Sequence, residues 1–125
     1  MAQYCYCGSD VLFSSCCEIY IKGIEKAPTA EKLMRSRFSA YATQSVDYLI
    51  NTTHISTRKI HKRSEILIWA KSNQWIKLEI ISYATSVVEF KAHYLDSNFK
   101  LKIHHEKSFF LQENGAWFYV DADFY

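Results

Sequence analysis

The chain reads as an α+β domain in which helices come first and an antiparallel sheet follows. Three observations carry that reading. Apolar residues recur at helical spacing up to Asn73 and alternate with polar ones after it. Turn signals at Asp96-Ser97-Asn98 and Asn114-Gly115 divide the alternating half into strands joined by short connections. All four cysteines lie in the first seventeen residues, ahead of the first clear helix, as a small unit of their own. At 125 residues and 49% hydrophobic, the chain has the material for one core. The division expected is residues 1–27 as a cysteine knuckle and 28–125 as the α+β domain.

Pro28-Thr29 marks the boundary. Thr29 is placed to cap a helix over Thr29–Ala42, with Glu31 in its first turn and Leu33, Met34, Phe38 and Tyr41 on its apolar side. Ser45 opens a second, short helix in which Val46, Leu49 and Ile50 share a face. A third runs from Ser56 through Ile60, Leu67 and Ile68 to Ser72-Asn73. The apolar run Ile66–Trp69 also suits a strand, but the charged residues before it favour helix. Four strands follow. Ile76, Leu78 and Ile80 mark the first; Val88, Phe90, Ala92 and Tyr94 the second; Phe99, Leu101, Ile103 and His105 the third; Trp117–Phe124 is the last.

The cysteines are spaced Cys5-x-Cys7 and Cys16-Cys17, with Gly8-Ser9 turning the chain after the first pair. A bridge within either pair would close a very tight or strained ring, and the Met1–Tyr4 start has neither the basic nor the apolar region of a secretory signal. Four thiolates around a structural Zn²⁺ satisfy the pattern better: soft donors, a closed tetrahedral shell and a segment too small to fold alone. The expected setting is a reducing cytoplasm. The formal charge of +2 falls near zero once a four-thiolate zinc centre adds about −2, so strong attraction to nucleic acid or an anionic membrane is not expected. No apolar run is long enough to span a bilayer. Arg58–Arg63 is the basic cluster; a solvated helix start explains it better than phosphate binding. There is no Gly-rich phosphate loop, Ser-His-Asp signature or HExxH.

The Cys5-x-Cys7-Gly8-Ser9 and Cys16-Cys17 arrangement resembles the SEC-C motif, a small zinc-binding element. The stretch Thr29–Ala40 with Leu33-Met-Arg-Ser-Arg37, then Asp47-Tyr-Leu49, His105-Glu106-x-Ser108-x-Phe110 and Trp117-Phe-Tyr119, resembles the YchJ-like family of bacterial proteins nearly end to end. Members of that family carry a second cysteine motif after the last strand, a segment this sequence does not contain. The resemblance implies an NTF2-like (cystatin-like) cone, with three helices packed on a curved four-stranded antiparallel sheet around a cavity. It also implies a protein-binding use for the zinc knuckle.

Candidate ligand-binding residues follow from that cone. Arg35 and Arg37 stand two apart on one helix, so one of them can reach the interior to meet an acidic ligand or the Glu106 carboxylate. Tyr41, Trp69, Trp75 and His105 are expected to line the cavity, His105 because it continues the Phe99, Leu101, Ile103 face. A surface arginine and a hydrogen-bonded core histidine are the plainer readings of the same residues. The expected cavity is small and mostly apolar. The leading expectation for function is a non-enzymatic binding or adaptor module that meets a protein through the knuckle. The alternative is a small-molecule-binding protein or enzyme acting in the cavity. A staple that merely ties the N-terminus to the cone is the plain reading of the knuckle.

Overall fold

The computed structural model describes residues 3–125. A 3₁₀ turn over Phe13–Ser15 leads into α1 (Cys17–Ile21), followed by α2 (Ala30–Ala42), α3 (Val46–Asn51), α4 (Ile55–Arg58) and α5 (Arg63–Ser72). Four strands complete the chain: β1 (Gln74–Tyr83), β2 (Val87–Leu95), β3 (Leu101–Glu113) and β4 (Ala116–Phe124). They form one antiparallel meander in the order β1-β2-β3-β4, so the NTF2-like α+β architecture is present.

Helix α2 is the axis of the packing. The Thr29 hydroxyl accepts a hydrogen bond from the Lys32 amide at 3.1 Å, which fixes its start. Leu33, Met34 and Phe38 then bury themselves against Leu78, Val88, Phe90, Ala92, Phe110 and Tyr119 of the sheet. The third helix read from the sequence is two helices. The chain breaks at Lys59–Lys62, and Ile60, expected on an apolar face, is 74% exposed. Five charged or imidazole side chains in Arg58–Arg63 leave that turn no apolar stripe to bury.

The sheet is bent by three irregularities. Trp75 pairs with Tyr94 and Leu78 with Ala92, so β1 carries one extra residue there; the same happens between Ile80 and Ser82. A third lies on β4, where Phe109 pairs with Asp121 but Phe110 with Tyr119. Each extra residue sharpens the local twist and changes which side chains face inward. The first turns Trp75 inward and leaves Ile76 half exposed.

On β3 the inward face is polar. His104, Glu106, Ser108 and Phe110 point toward the helices, whereas Phe99, Leu101 and Ile103 are 84%, 65% and 54% exposed. The expectation that His105 points inward is therefore overturned by one residue of phase. His105 lies on the outer face, bonded to Glu89 at 2.8 Å and stacked on Tyr125. Phe99, expected in the strand, belongs instead to the preceding turn, with φ of 60°.

Beneath α2, Tyr48 donates or accepts a 2.6 Å hydrogen bond with Ser36, and burial pushes its phenol up to about 12 from 10.0. A raised tyrosine contributes stability below its unfolded value, and that stability is lost as pH climbs toward the folded one. Unfolding midpoints followed by circular dichroism should fall between about pH 10 and 12. Tyr48→Phe should flatten that fall, and an unchanged slope would remove Tyr48 as its source.

Candidate metal centre and cavity

Cys5, Cys7, Cys16 and Cys17 are free thiols whose sulfurs all lie within 4.8 Å of one another. The Cys7 and Cys16 sulfurs are 3.8 Å apart. Metal–sulfur bonds of about 2.3 Å set the edge of a tetrahedral thiolate site at about 3.8 Å. The donor set therefore fits a closed tetrahedral metal site, with one edge already at that length and the others needing at most about 1 Å of contraction. Cys5, Cys7 and Cys17 are buried and Cys16 is half-buried. The Gly8 amide goes to the Cys5 carbonyl at 3.2 Å rather than to a sulfur. Several bare thiolates cannot coexist here. The hydrogen bond with Cys5 is the largest cause pushing Cys17 up, Cys5 being lowered in return, and burial pushes Cys16 up. A bound cation would remove that conflict by holding all four deprotonated.

The knuckle is held to α2 by named bonds. Arg35 binds Glu31 at 2.9 Å and donates to the Cys7 carbonyl at 2.9 Å. Burial works against its charge, but the Glu31 bond and the Cys7 sulfur raise it overall. The Cys5 sulfur meets the Ser39 hydroxyl at 3.5 Å. Of the two arginines, Arg35 thus serves the knuckle and Arg37 the interior.

Arg37 is 6% exposed. Its Nη1 donates to the Leu49 carbonyl at 2.9 Å and to the Thr52 hydroxyl at 2.7 Å, and its guanidinium lies 4.6 Å from the centre of the Tyr119 ring. It lines a cavity of about 90 Å³ between α2, α5 and the sheet. Tyr41, Trp69, Trp75 and Glu106 line it as well, as expected; His105 and Arg35 do not. The structure adds His61, His104 and Tyr119. Glu106 is 8% exposed, with one oxygen 2.8 Å from His104 Nε2 and the other receiving the Ser108 hydroxyl. The histidine that meets Glu106 is His104, two residues away on the same face of β3, and not the adjacent His105. Burial lowers His61 and raises Tyr41. Trp75 meets Tyr41, Trp69 and Tyr94 with ring centres 5.1–5.6 Å apart, and Trp69 is 38% exposed at the rim. The cavity is small, as expected, but not mostly apolar: an arginine, a glutamate and two histidines face it.

The basic cluster has structural partners. Arg58 donates to the Thr53 carbonyl at 3.0 Å and Arg63 to Asp47 at 2.9 Å. No helix among the described residues is long and apolar enough to cross a membrane.

An α+β cone with a four-cysteine knuckle defines a SEC-C motif protein with an NTF2-like domain. Residues 29–122 match the model of the YchJ middle NTF2-like domain, and the chain belongs to the YchJ family. It is 38% identical over 129 residues to a UPF0225 protein of Serratia proteamaculans, and 37% identical over 128 residues to the UPF0225 protein YchJ of Shigella dysenteriae. Both alignments take in 98% of this chain and 84% of the relative. Among solved structures it is similar to a SEC-C motif containing protein from Rhodopseudomonas palustris, with a TM-score of 0.88 at 29% identity over 95% of this chain and 96% of that one. A second, from Psychrobacter arcticus, gives 0.80 at 26% identity, covering 95% and 81%.

Proposed function

We propose that this protein binds a small polar molecule in its cavity and uses one zinc ion, held by Cys5, Cys7, Cys16 and Cys17, to staple the N-terminal knuckle to α2. Four sulfurs close the coordination shell, so zinc bound there supplies folding free energy rather than chemistry. Free thiols kept for a metal fit a reducing, cytoplasmic setting. The observation that carries the ligand-binding reading is convergence. Arg37 from α2, His61 from the turn before α5, and His104 and Glu106 from β3 all face one cavity. A merely structural core would fill that space with apolar side chains.

The test is a nuclear magnetic resonance screen of small polar compounds against the zinc-loaded chain. Compounds that shift the Trp69 and Trp75 indole signals should lose their effect in His104→Ala and keep it in His105→Ala. Equal behaviour of the two variants would overturn the cavity reading. His105→Ala should also cost no more than about 1 kcal/mol, because its partner Glu89 lies on a partly exposed face.

A second reading, protein docking through the knuckle, is favoured by one observation. Tyr4, Val11 and Leu12 are 67%, 44% and 37% exposed on that segment. If the knuckle docks a partner, removing residues 1–25 should abolish co-purification of that partner with little loss of thermal stability. Collapse of stability with no interaction lost would leave the staple alone.

A further inference from the structure

The cavity is unbalanced in a specific way. Every hydrogen bond that Arg37 makes to the protein runs through Nη1: to Leu49, to Thr52 and, at 3.5 Å, to Thr53. Among the described residues its Nε and Nη2 have no partner, although the side chain is more than nine-tenths buried. Tyr41 and Tyr119 line the same cavity, and neither hydroxyl has a hydrogen-bond partner among the described residues. Both oxygens of Glu106, the one carboxylate on the cavity wall, are already engaged by His104 and Ser108. Arg37 and the two tyrosines thus present N–H and O–H donors to the space with no acceptor supplied for them by the protein. Donors that open onto the cavity are answered there by water or by a ligand, and a guanidinium fork matches two oxygens held in one plane.

We propose that the ligand of this cavity is a small carboxylate, held by the free edge of Arg37 and by the hydroxyls of Tyr41 and Tyr119. The proposal rests on the cavity reading above and names the chemical class that reading leaves open. Size limits the class further. A space of about 90 Å³ is well below the few hundred Å³ of sites for drug-sized molecules, which favours an acid of a few non-hydrogen atoms. The aromatic wall built by Phe38, Phe90 and Trp75 suits a short carbon stub opposite the carboxylate. Because Glu106 stands on the same cavity wall as Arg37, recognition depends on directed donors rather than on net positive charge, which makes the two tyrosine hydroxyls part of the specificity.

Acetate and acetamide have the same shape and differ in charge and acceptor count, so they are the probes. The zinc-loaded chain is titrated with each at constant ionic strength, following the Arg37 Nε–H and the Trp69 and Trp75 indole signals. Acetate is expected to bind in the millimolar range, as suits so small a ligand, and at least about tenfold more tightly than acetamide. Tyr41→Phe and Tyr119→Phe should each weaken acetate about tenfold, and Tyr125→Phe, on the opposite face of the sheet, should leave it unchanged. Equal binding of the two probes overturns the carboxylate assignment while leaving a binding cavity. No response to either probe overturns the assignment as well, and the screen with other polar compounds then decides the cavity reading separately. Should a tyrosine variant fail to fold, the comparison of probes on the unsubstituted chain is decisive by itself.

Discussion

Cys7→Ser should abolish metal retention. Zinc content should drop from about one per chain to a small fraction of that, because Cys7 is fully buried at the centre of the cluster and no other side chain among the described residues stands ready to replace its sulfur. The loss should be local. Cys5, Cys7 and Cys17 form a cluster of their own with Phe13, Cys16 and Ile21, separate from the main core of Leu33, Met34, Phe38, Val88, Phe90 and Phe110. Hydrogen exchange should therefore accelerate by orders of magnitude over residues 3–22 while the amides of β2 keep their protection. The bonds from Arg35 to the Cys7 carbonyl and from Ser39 to Cys5 would loosen with it. Elemental analysis and exchange mass spectrometry check both halves. Full zinc retention would sink the four-cysteine assignment, and unfolding of the whole chain would sink the separation of the two cores.

Arg37→Leu should destabilise the protein by about 2–4 kcal/mol, enough to lower the thermal midpoint by roughly 10 °C. The reason is accumulation at one atom. Nη1 satisfies both the Leu49 carbonyl near the end of α3 and the Thr52 hydroxyl, and the guanidinium covers the Tyr119 ring. Removing it takes a charged donor from the Leu49 carbonyl, which keeps only the Thr53 hydroxyl, and from the Thr52 hydroxyl, and it removes the one arginine on the cavity wall that Glu106 shares. Arg37→Lys should recover part of the loss, since it restores charge but not the planar fork. A Leu variant within about 1 kcal/mol of the parent would show that the guanidinium is not integral to the fold.

Much of the architecture was legible because it rests on local signals. The cysteine spacing, the Thr29 cap, the alternation of Val88, Phe90 and Ala92, and the Asn114-Gly115 turn each carry their own physical cause. The inward face of β3 was not, because two patterns compete there. Leu101 and Ile103 are apolar and face out, whereas His104, Glu106 and Ser108 are polar and face in. Hydrophobic alternation must choose the wrong phase in such a strand, and the family motif around Glu106 was the one signal that could have reversed it. The bulges beside Trp75 and within β4 are silent in sequence for the same reason: an extra residue in a strand leaves no composition mark. Arg35 and Arg37 could not be told apart from spacing alone. Their fates divide because the knuckle covers one side of α2 and the cavity opens on another.

The polar lining of β3 bears on the order in which the molecule assembles. The β1–β2 ribbon brings Leu78, Ile80, Val88, Phe90 and Ala92 to the side that meets α2, so that part can collapse on apolar contact alone. The middle of β3 has no such driving force over His104, Glu106 and Ser108. Its burial becomes favourable only once neighbours are in place to answer a carboxylate, an imidazole and a guanidinium together. The rate of folding should therefore respond to truncation at Val88 and Phe90, whereas changes at Glu106 and Arg37 should act on the rate of unfolding. The cavity is, on this view, the last part of the protein to form and the first to open.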